Sequence, residues 1–379
     1  MHRNGVYILM LSILTLIALG LVMLMSVGAF APANQGNPTY FISRQGIFLL
    51  IGIIGCTVAA RWDYHHWTKY AWILVAISLL LMAACFLPGI GVKVKGAHRW
   101  VDVGFTNIQP VEVAKLSVIA LLAMWMGMKQ KTIQTFRDGV AIPIAVLCCL
   151  AVLCVFQRDL GTAALMLVIT TLMMFIAGTK LLYLTPLPVA GVAGILAVAF
   201  HDPEKLERLL AFMNPEKYQQ DGGYQIWMAL IAFGSGGVSG LGLGNGVQKM
   251  FYLPEAHTDC IFPIVGEELG LTFTLLVVFC FLLLALSGGW ISCHAPDTTG
   301  LLLGFGVTAL ICLQAAMNMA VVTSLIPAKG IGLPFISYGG SNLLMCLACV
   351  GILLNIHGQA IYSQKKKRGV LPSMLNERM

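Results

Sequence analysis

One short segment, FYLPEAHTDCIFPIVGEELG at residues 251–270, places proton-accepting side chains at the start of a long apolar run. Asp259 stands beside His257, within one or two residues of that run. A carboxylate placed there, partly removed from water, could act as a general base. A structural interpretation is open as well, because Thr258 or Asp259 could cap a helix that begins at Cys260. The spacing is compatible with both interpretations, which do not exclude each other.

Two further carboxylates, Glu267 and Glu268, follow about two turns later on the same predicted helix. At 1.5 Å per residue they lie roughly 12 Å deeper than Asp259, beyond the reach of surface water. Ionisable side chains at such depth need partners inside the bundle. We expect a structural ion pair, and a path for protons or ions is the alternative.

A second pair of charges opens another apolar run, in IQPVEVAKL at 108–116. Pro110 suits the first turn of a helix. Glu112 and Lys115 are three residues apart, so their side chains share one helix face and can pair. The pair could be purely structural. Alternatively, Lys115 could hold a phosphate or set the charge state of a nearby carboxylate.

Other polar side chains recur where predicted helices begin or end. They are Arg44, Gln45, Arg99, Arg158, Asp159 and Lys329. Taken singly, a long basic side chain at such a position is typical of a residue that extends from an apolar surface towards water. Several cations on one face of a membrane protein could together bind the phosphates of an acidic lipid. Ser337, in PFISYGGSN at 334–342, lies where proline and glycine interrupt a helix start, and could line a polar cavity.

A glycine-rich segment, GSGGVSGLGLGNG at 234–246, superficially suggests a phosphate-binding loop. It lacks the Gly-Lys-Ser/Thr ending and the preceding strand that nucleotide-binding loops need. Tight turns and close approach of neighbouring backbones explain its glycines better. We therefore expect no nucleotide site there.

The composition sets the class of protein that must position these residues. Of 379 residues, 58% are hydrophobic and only 10% are charged, and the mean hydropathy is +0.86. Soluble domains are about 45–50% apolar and about 25% charged, so the chain is predicted to be an integral membrane protein. The eleven cysteines lie mostly inside apolar runs, which argues against a disulfide framework or a zinc site.

Ten apolar runs predict ten membrane-spanning helices and an all-α polytopic fold. They lie near residues 6–28, 46–61, 71–89, 110–128, 139–157, 160–178, 181–200, 261–286, 300–324 and 337–357. The lysine and arginine bias of the connections places both termini on the cytoplasmic side, with the basic cluster 365–368 as an anchor. The first run is too long for a signal peptide, and we expect it to be retained.

The connection between spans seven and eight, about residues 201–260, is exceptional, because loops beyond about 12–15 residues are usually functional or disordered. It carries seven of the sixteen acidic residues, namely Asp202, Glu204, Glu207, Glu216, Asp221, Glu255 and Asp259. Its apolar stretches predict short helices packed on the outer face, some of them dipping into the membrane. The domain prediction is one membrane domain, 1–362, followed by a basic cytoplasmic tail, 363–379.

Six motifs in order resemble one known family along nearly the whole chain. They are GAHRWVDVGFTNIQPVEVAKL, QRDLGTA, GYQ, GLGLGNGVQKMFYLPEAHTDCIFPIVGEELG, NMAVVTSLIPAKG and LPFISYGGSN. They are similar to the SEDS family (shape, elongation, division and sporulation), which includes FtsW, RodA and SpoVE. The GEELG and PAKG segments are more similar to the division members, FtsW, than to the elongation members, RodA.

The resemblance implies a ten-span peptidoglycan glycosyltransferase that polymerises lipid II, the undecaprenyl-linked disaccharide. It also implies a partner class B penicillin-binding protein, which cross-links the peptides, alongside other division or elongation membrane proteins. Asp259 matches the essential aspartate of the family. Glu112 and Lys115 match a paired motif, and Arg44-Gln45 matches an arginine-glutamine near the second span. Supporting positions are expected at Arg99, Asp159, Lys249, His257, Lys329 and Ser337.

The implied chemistry is a displacement at an anomeric carbon with pyrophosphate as the leaving group. Asp259 would accept the proton of the acceptor GlcNAc 4-hydroxyl as that oxygen attacks C1 of the donor MurNAc, inverting the anomer in one step. Lys115, Arg44 or Arg99 would offset the charge that grows on the pyrophosphate, and a divalent metal, Mg²⁺ or Mn²⁺, is an option.

Three alternatives to this function are compatible with the sequence. A RodA-type elongation polymerase would have the same chemistry, a lipid II flippase would transport the lipid, and a scaffold would only recruit the penicillin-binding protein.

The chain also departs from the usual family pattern at three positions. Arg158 replaces a proline, Cys260 replaces a phenylalanine and Asn342 replaces a serine, and none of these changes removes a candidate site residue.

Overall fold

The computed structural model describes residues 2–29, 39–94, 96–104, 106–214, 216–220, 222–250 and 252–367. The helices are α1 (His2–Gly28), α2 (Tyr40–Arg61), α3 (Tyr64–Lys69), α4 (Ala71–Ala84), α5 (Pro110–Met128), α6 (Ile142–Phe156), α7 (Leu160–Ile176), α8 (Leu181–Leu184), α9 (Pro186–His201), α10 (Pro203–Met213), α11 (Tyr224–Gly236), α12 (Ile261–Cys293), α13 (Thr298–Val322) and α14 (Gly340–Lys367). The strands are β1 (Gly91–Val94), β2 (Ala97–Asp102) and β3 (Asn107–Ile108).

The predicted polytopic helical fold is confirmed, and each predicted apolar run coincides with helix. Within the described residues, eight helical segments are long and apolar enough to cross a membrane, and α4 and α7 are shorter apolar helices. The total of ten crossings stays a prediction. Four predicted boundaries differ from the helices by five residues or more. Helix α12 ends at Cys293 rather than near 286, and α14 ends at Lys367 rather than near 357. Helix α2 begins at Tyr40 rather than near residue 46, so Arg44 lies in a helix and not in a connecting loop. Helix α4, which contains the third apolar run, ends at Ala84 rather than near residue 89.

Helix α5 is the centre of the bundle. It contacts α4, α6, α7, α13 and α14, and 72% of its most apolar stretch is buried. The segment Leu181–His201 is far less covered, with 6% of its most apolar stretch buried, and it contacts α7 and α10. A helix that is apolar all round and buried belongs in a core, whereas one that is apolar and uncovered suits a lipid surface.

A small antiparallel sheet, in the order β1-β2-β3, fills the connection between α4 and α5. Its register pairs Val92 with Trp100 and Val101 with Ile108. The sequence analysis predicted no strands here. The segments are short and Val92–Lys93 carries a register irregularity, so no clean two-residue alternation marks them.

Helix α12 is broken near its start. Gly270 has φ 76° and ψ −172°, which is non-helical. The backbone N–H groups of Leu241 and Gly242 donate to the carbonyls of Glu267 and Glu268, both at 2.9 Å. These carbonyls lose their helical partners at the break, and the glycine-rich loop replaces them. A Cβ at Gly240, which has φ 77°, would overlap the Glu268 carbonyl, so the predicted close backbone approach is confirmed.

The long connection 201–260 contains the predicted short helices, α10 and α11. Helix α11 packs on α12, with Phe233 edge-on to Phe262 at a centroid distance of 5.6 Å.

At the C-terminal limit of the predicted membrane domain, α14 continues through Lys367, so the predicted tail begins inside a helix. Residues 368–379 lie outside the described residues, as do Lys95 and Asp221.

Two ends of the bundle can be told apart by their contacts. At the end away from Asp259, His65 bridges Asp63 and Asp297 through its two ring nitrogens, at 2.7 Å each. In the same region the Asn355 side chain accepts from the Tyr64 backbone N–H at 2.9 Å and donates to the Ala60 carbonyl at 2.9 Å. These bonds join α14 and the α12–α13 connection to the α2–α3 turn.

The close approach at Gly240 predicts a stability difference between two glycine substitutions. We expect Gly240→Ala to lower the free energy of unfolding by about 1–3 kcal/mol, because the left-handed backbone and the Glu268 carbonyl leave no room for a Cβ. Gly55→Ala is the matched control, since Gly55 is exposed on α2 with open space around its Cα. Thermal unfolding in detergent measures both, and equal midpoints would contradict the argument.

Candidate functional site

Asp259 lies on the segment that leads into α12, at the end of the bundle that we call the Asp259 end. The helix begins at Ile261, and its cap residue, Cys260, makes no side-chain capping bond. The predicted cap at Thr258 or Asp259 is therefore wrong, because the helix starts later and Thr258 Oγ1 donates to Glu255 Oε2 at 2.8 Å instead. Asp259 is half-buried and is not the cap residue of α12.

Asp259 and Lys329 line the same small cavity. The other lining residues are Gln225, Ile226, Ala229, Cys260, Val321 and Val322. Burial lowers the pKa of Lys329, and the negative charge of Asp159 opposes that shift. A Cβ at Gly330 would lie 2.7 Å from Asp259 Oδ2, so a larger residue next to Lys329 would press on the carboxylate. One cation and one carboxylate therefore share a mostly apolar recess.

Asp159 completes this group of charges from the side of α7. It caps the helix by accepting from the Thr162 backbone N–H at 3.1 Å and from Thr162 Oγ1 at 2.9 Å. A Cβ at Gly161 would touch Lys329 Cδ at 3.4 Å, which places the lysine stem over the first turn of α7. The structure thus brings together Asp159, Lys329 and Asp259, residues that are up to 170 positions apart in the sequence.

His257, Ser337 and Gln45 hold the backbone around Asp259 rather than face the cavity. Ser337 Oγ donates to the Thr258 carbonyl at 2.6 Å, and Gln45 Nε2 donates to the Ser337 carbonyl at 3.2 Å. The His257 ring stacks on Phe41 with a centroid distance of 4.5 Å. Ser337 is buried and is not among the residues that line the Asp259–Lys329 cavity. These contacts fix the Asp259 segment to α2 and to the loop before α14.

Two arginines differ in how much of their side chain is already engaged. Arg99 donates from Nε to the Gln157 carbonyl at 3.2 Å and from a terminal nitrogen to the Arg158 carbonyl at 2.6 Å. It therefore fastens β2 to the end of α6. Arg44 is exposed, lies 4.9 Å from the Tyr40 ring centroid and hydrogen-bonds the Tyr338 side chain.

Arg158, which stands where the family usually has proline, adopts a backbone conformation that proline cannot adopt. Arg158 has φ 59°, in the left-handed region. A proline, with φ fixed near −65°, could not adopt this conformation. The turn between α6 and α7 therefore differs here from that of a chain with proline at this position.

The predicted pair on α5 is formed and is deeply buried. Lys115 Nζ lies 2.8 Å from Glu112 Oε2 and donates to Gln314 Oε1 at 2.7 Å. Gln314 in turn donates to Asn342 Oδ1 at 2.9 Å. Lys115 is 4% exposed. With its donors engaged and no access to solvent, the geometry favours the structural interpretation over phosphate binding.

The two deep carboxylates of α12 hold the glycine-rich loop. Glu268 accepts from Lys249 Nζ at 2.5 Å and from Ser26 Oγ at 2.8 Å, and Lys249 also donates to the Gly244 carbonyl at 2.7 Å. Glu267 accepts from the backbone N–H groups of residues 247 and 248. This geometry supports the predicted structural ion pair. Lys249 is fully engaged in that pair and contributes to the loop rather than to the cavity.

The residues described here do not form a protein-built metal site. Within the described ranges, no group of three or more His, Cys, Asp or Glu side chains is arranged to hold an ion. Near the cavity, Asp159 is engaged in capping α7.

The sequence analysis missed two amides that the structure places at the centre of this end, Gln314 and Asn318. Asn318 Nδ2 donates to the Asp259 carbonyl at 2.8 Å and to the Ile331 carbonyl at 2.6 Å. The available signal was their spacing, since amides four residues apart in an apolar run share one helix face. Polar side chains inside a membrane-spanning helix usually bond across to neighbouring elements.

Comparisons with known proteins agree over most of the chain. Residues 7–362 match a family described as Cell cycle protein, comprising FtsW, RodA and SpoVE. A relative from Trichlorobacter lovleyi, named Probable peptidoglycan glycosyltransferase FtsW, is 41% identical over 92% of each chain. Stage V sporulation protein E of Bacillus subtilis is 36% identical over 94% of this chain and 97% of its own.

A solved structure shares the fold. It comes from work on the structural coordination of polymerization and crosslinking by a peptidoglycan synthase complex, and it superposes with a TM-score of 0.76. The identity is 24%, and the alignment covers 93% of this chain and 97% of the other. At this identity the likeness concerns the fold alone.

The buried Glu112–Lys115 pair predicts non-additive effects on stability. We expect Lys115→Met to lower the free energy of unfolding by about 3–5 kcal/mol, because it leaves the Glu112 charge buried without its partner. The double variant Glu112→Gln/Lys115→Met should lose less than this single variant, since no charge remains. Detergent thermal unfolding of the complete cycle measures the coupling, and a double variant that is less stable than Lys115→Met would overturn the argument.

Proposed function

We infer that this chain, which belongs to the FtsW/RodA/SpoVE family of cell cycle proteins, is a peptidoglycan glycosyltransferase. The observation that carries this inference is 41% identity to an FtsW relative over 92% of both chains. The name of that relative supports a role in cell division. The chain is a multi-pass membrane protein, as its apolar helices indicate.

The proposed substrate is lipid II, and the proposed location is the bacterial cytoplasmic membrane with both termini in the cytoplasm. The Asp259 end then faces outward, and the connection 201–260 lies on that side. The lysine and arginine bias of the loops supports this orientation. The exposed segment Leu181–His201 offers an apolar surface that suits contact with lipid.

We propose that Asp259 acts as the general base. The 4-hydroxyl oxygen of the acceptor GlcNAc attacks C1 of the donor MurNAc while the bond from C1 to the pyrophosphate breaks. The proton of the hydroxyl passes to the Asp259 carboxylate, and the anomeric configuration inverts. A single displacement needs one base and no covalent glycosyl-enzyme, so one carboxylate at the cavity is sufficient.

Lys329 is the cation that we assign to the pyrophosphate. It shares the cavity with Asp259, whereas Arg99 is bound to backbone carbonyls and Lys115 is buried beside Glu112. A partly dehydrated ammonium interacts with developing negative charge more strongly than a solvated one. Arg44, which is exposed on the same end, is assigned to a second contact with the lipid headgroup.

The remaining predicted site residues act by support. Gln45, His257 and Ser337 hold the Asp259 segment, and Asp159 holds the first turn of α7 next to Lys329. Glu112 and Lys249 belong to the two buried ion pairs. Their substitution is expected to act through the shape of the Asp259 end and not through contact with substrate.

The proposed partner is a class B penicillin-binding protein. The solved structure that shares this fold belongs to a peptidoglycan synthase complex that couples polymerization to crosslinking. A polymerase next to a transpeptidase delivers new glycan strands, with the peptides they carry, at the place where those peptides are cross-linked. Other division proteins of the membrane are proposed as further members of the assembly.

A lipid II flippase and a non-catalytic scaffold are the alternatives from other classes. A flippase needs a path through the bundle, and the deep carboxylates of α12 are instead bonded to Lys249, Ser26 and backbone N–H groups. A scaffold needs no carboxylate in a recess. An elongation polymerase would share the site, so the site does not distinguish it from a division enzyme.

The general-base assignment predicts that Asp259→Asn lowers glycan formation from fluorescent lipid II at least about 100-fold, because the amide cannot accept the proton. Purified protein, with and without its penicillin-binding partner, is assayed on a gel that resolves chain length. Asp202→Asn, the same change elsewhere in the long connection, serves as the control and should keep wild-type activity. Polymer formed by a folded Asp259→Asn would remove the base, and absence of polymer from wild type would favour the flippase.

The assignment of Lys329 predicts a shift in the pH profile. Burial lowers the pKa of Lys329, so the ammonium that binds pyrophosphate is lost as pH rises through that lowered value. An arginine stays protonated, and Lys329→Arg should therefore move the alkaline limb of kcat/KM to higher pH. Lys205→Arg, on the long connection, is the control and should leave the limb in place. An unmoved limb in Lys329→Arg would exclude this role for Lys329.

A further inference from the structure

One amide on α13 joins the two segments that carry the cavity charges. Asn318 Nδ2 donates to the carbonyl of Asp259 at 2.8 Å and to the carbonyl of Ile331 at 2.6 Å. Asp259 leads into α12, whereas Ile331 follows Lys329 and Gly330 in the loop after α13. A single NH₂ group therefore spans the contact between the proposed base and the proposed cation.

The orientation of this amide is fixed by its surroundings. Both hydrogens of the NH₂ group are used on carbonyl oxygens, and a flipped amide would place its own oxygen against them. Asn318 is 2% exposed, so water does not replace either bond easily. Its Oδ1 atom is buried without a hydrogen-bond partner among the described residues. The side chain thus donates to two carbonyls while its own oxygen accepts no hydrogen bond. This arrangement indicates that the two donated bonds are the function of the side chain.

A second amide fastens the same loop one turn earlier on α13. Gln314 Nε2 donates to the Gly332 carbonyl at 3.0 Å, and Gln314 Oε1 accepts from Lys115 Nζ. The carbonyls of Ile331 and Gly332 are consecutive, so α13 holds this loop at two adjacent points. The loop cannot slide along α13 without breaking one of these bonds.

We propose that Asn318 is a positioning residue for the transfer reaction, and that it sets the placement of Asp259 relative to Gly330 and Lys329. This inference rests on the proposed function of Asp259. Gly330 already lies so close that a Cβ on it would be 2.7 Å from Asp259 Oδ2, so small shifts of either segment change the recess. Misplacement of a reacting group by about 1 Å can lower a rate by about 100-fold.

A role in packing alone makes a different prediction, and two substitutions separate them. Asn318→Ala removes the donor and leaves a void, whereas Asn318→Leu removes the donor and keeps a side chain of similar size and branching. If the donor matters, both variants lose kcat. If only volume matters, the leucine variant recovers. Asn355→Ala is the matched control, since Asn355 is a buried asparagine with backbone bonds at the other end of the bundle.

The experiment measures kcat, KM, the pH profile and the melting temperature for lipid II polymerisation by the full chain with its partner. We expect both Asn318 variants to lower kcat at least about 10-fold, with KM changed less than about 3-fold, because a displaced base affects the reaction more than binding. Asn355→Ala should lower the melting temperature to a similar degree and keep kcat within about 2-fold.

The outcomes also separate this inference from the function on which it rests. If Asp259→Asn is inactive while Asn318→Leu or Asn318→Ala behaves like Asn355→Ala, the positioning role is wrong and the base assignment stands. If Asp259→Asn polymerises normally, the base assignment fails, and with it the proposal that Asn318 positions that base, while the chain remains a polymerase. A loss of kcat in both Asn318 variants at a melting temperature equal to that of Asn355→Ala supports the proposal.

Discussion

Polar groups inside an apolar bundle must find their partners within the protein, and this requirement organises the Asp259 end. Inside the bundle, buried backbone carbonyls lack water and need donors from the protein. At this end the carbonyls of Thr258, Asp259, Ile331 and Gly332 each accept from a side chain of another segment, so side chains hold the loops in place. Asn318, Gln314, Ser337 and Gln45 all bond backbone atoms of loops and so turn irregular segments into a rigid surface.

The same requirement distinguishes basic side chains that are engaged in structural contacts from the one that lines the cavity. Arg99 holds two carbonyls at the end of α6, Lys115 neutralises Glu112, and Lys249 neutralises Glu268. Lys329 is different, because it is partly dehydrated in a recess that it shares with Asp259. A sequence motif rich in basic residues therefore overstates how many of them can meet a phosphate.

Local spacing made some features predictable from the sequence. The Glu112–Lys115 pair follows from a separation of three residues, and the close backbone approach of the glycine-rich segment follows from its glycines. The break of α12 at Gly270 was not predicted, because one glycine inside an apolar run does not distinguish a break from a continuous helix. Contacts across the bundle were not predictable, because Lys329 and Asp259 are seventy positions apart and no local pattern joins them. The strands near Arg99 were missed because their short segments lack a clean alternation of apolar and polar residues.

The break at Gly270 divides α12 into two mechanically distinct parts. The short part, 261–269, is bonded through the carbonyls of Glu267 and Glu268 to the glycine-rich loop, whereas the long part runs on to Cys293. Membrane-spanning helices tilt to match the thickness of the bilayer around them. Because Gly270 is non-helical, the long part can take a direction of its own while the short part stays bonded to the glycine-rich loop. The direction in which the chain enters α12 from Asp259 is therefore set by that loop and not by the orientation of the long part alone.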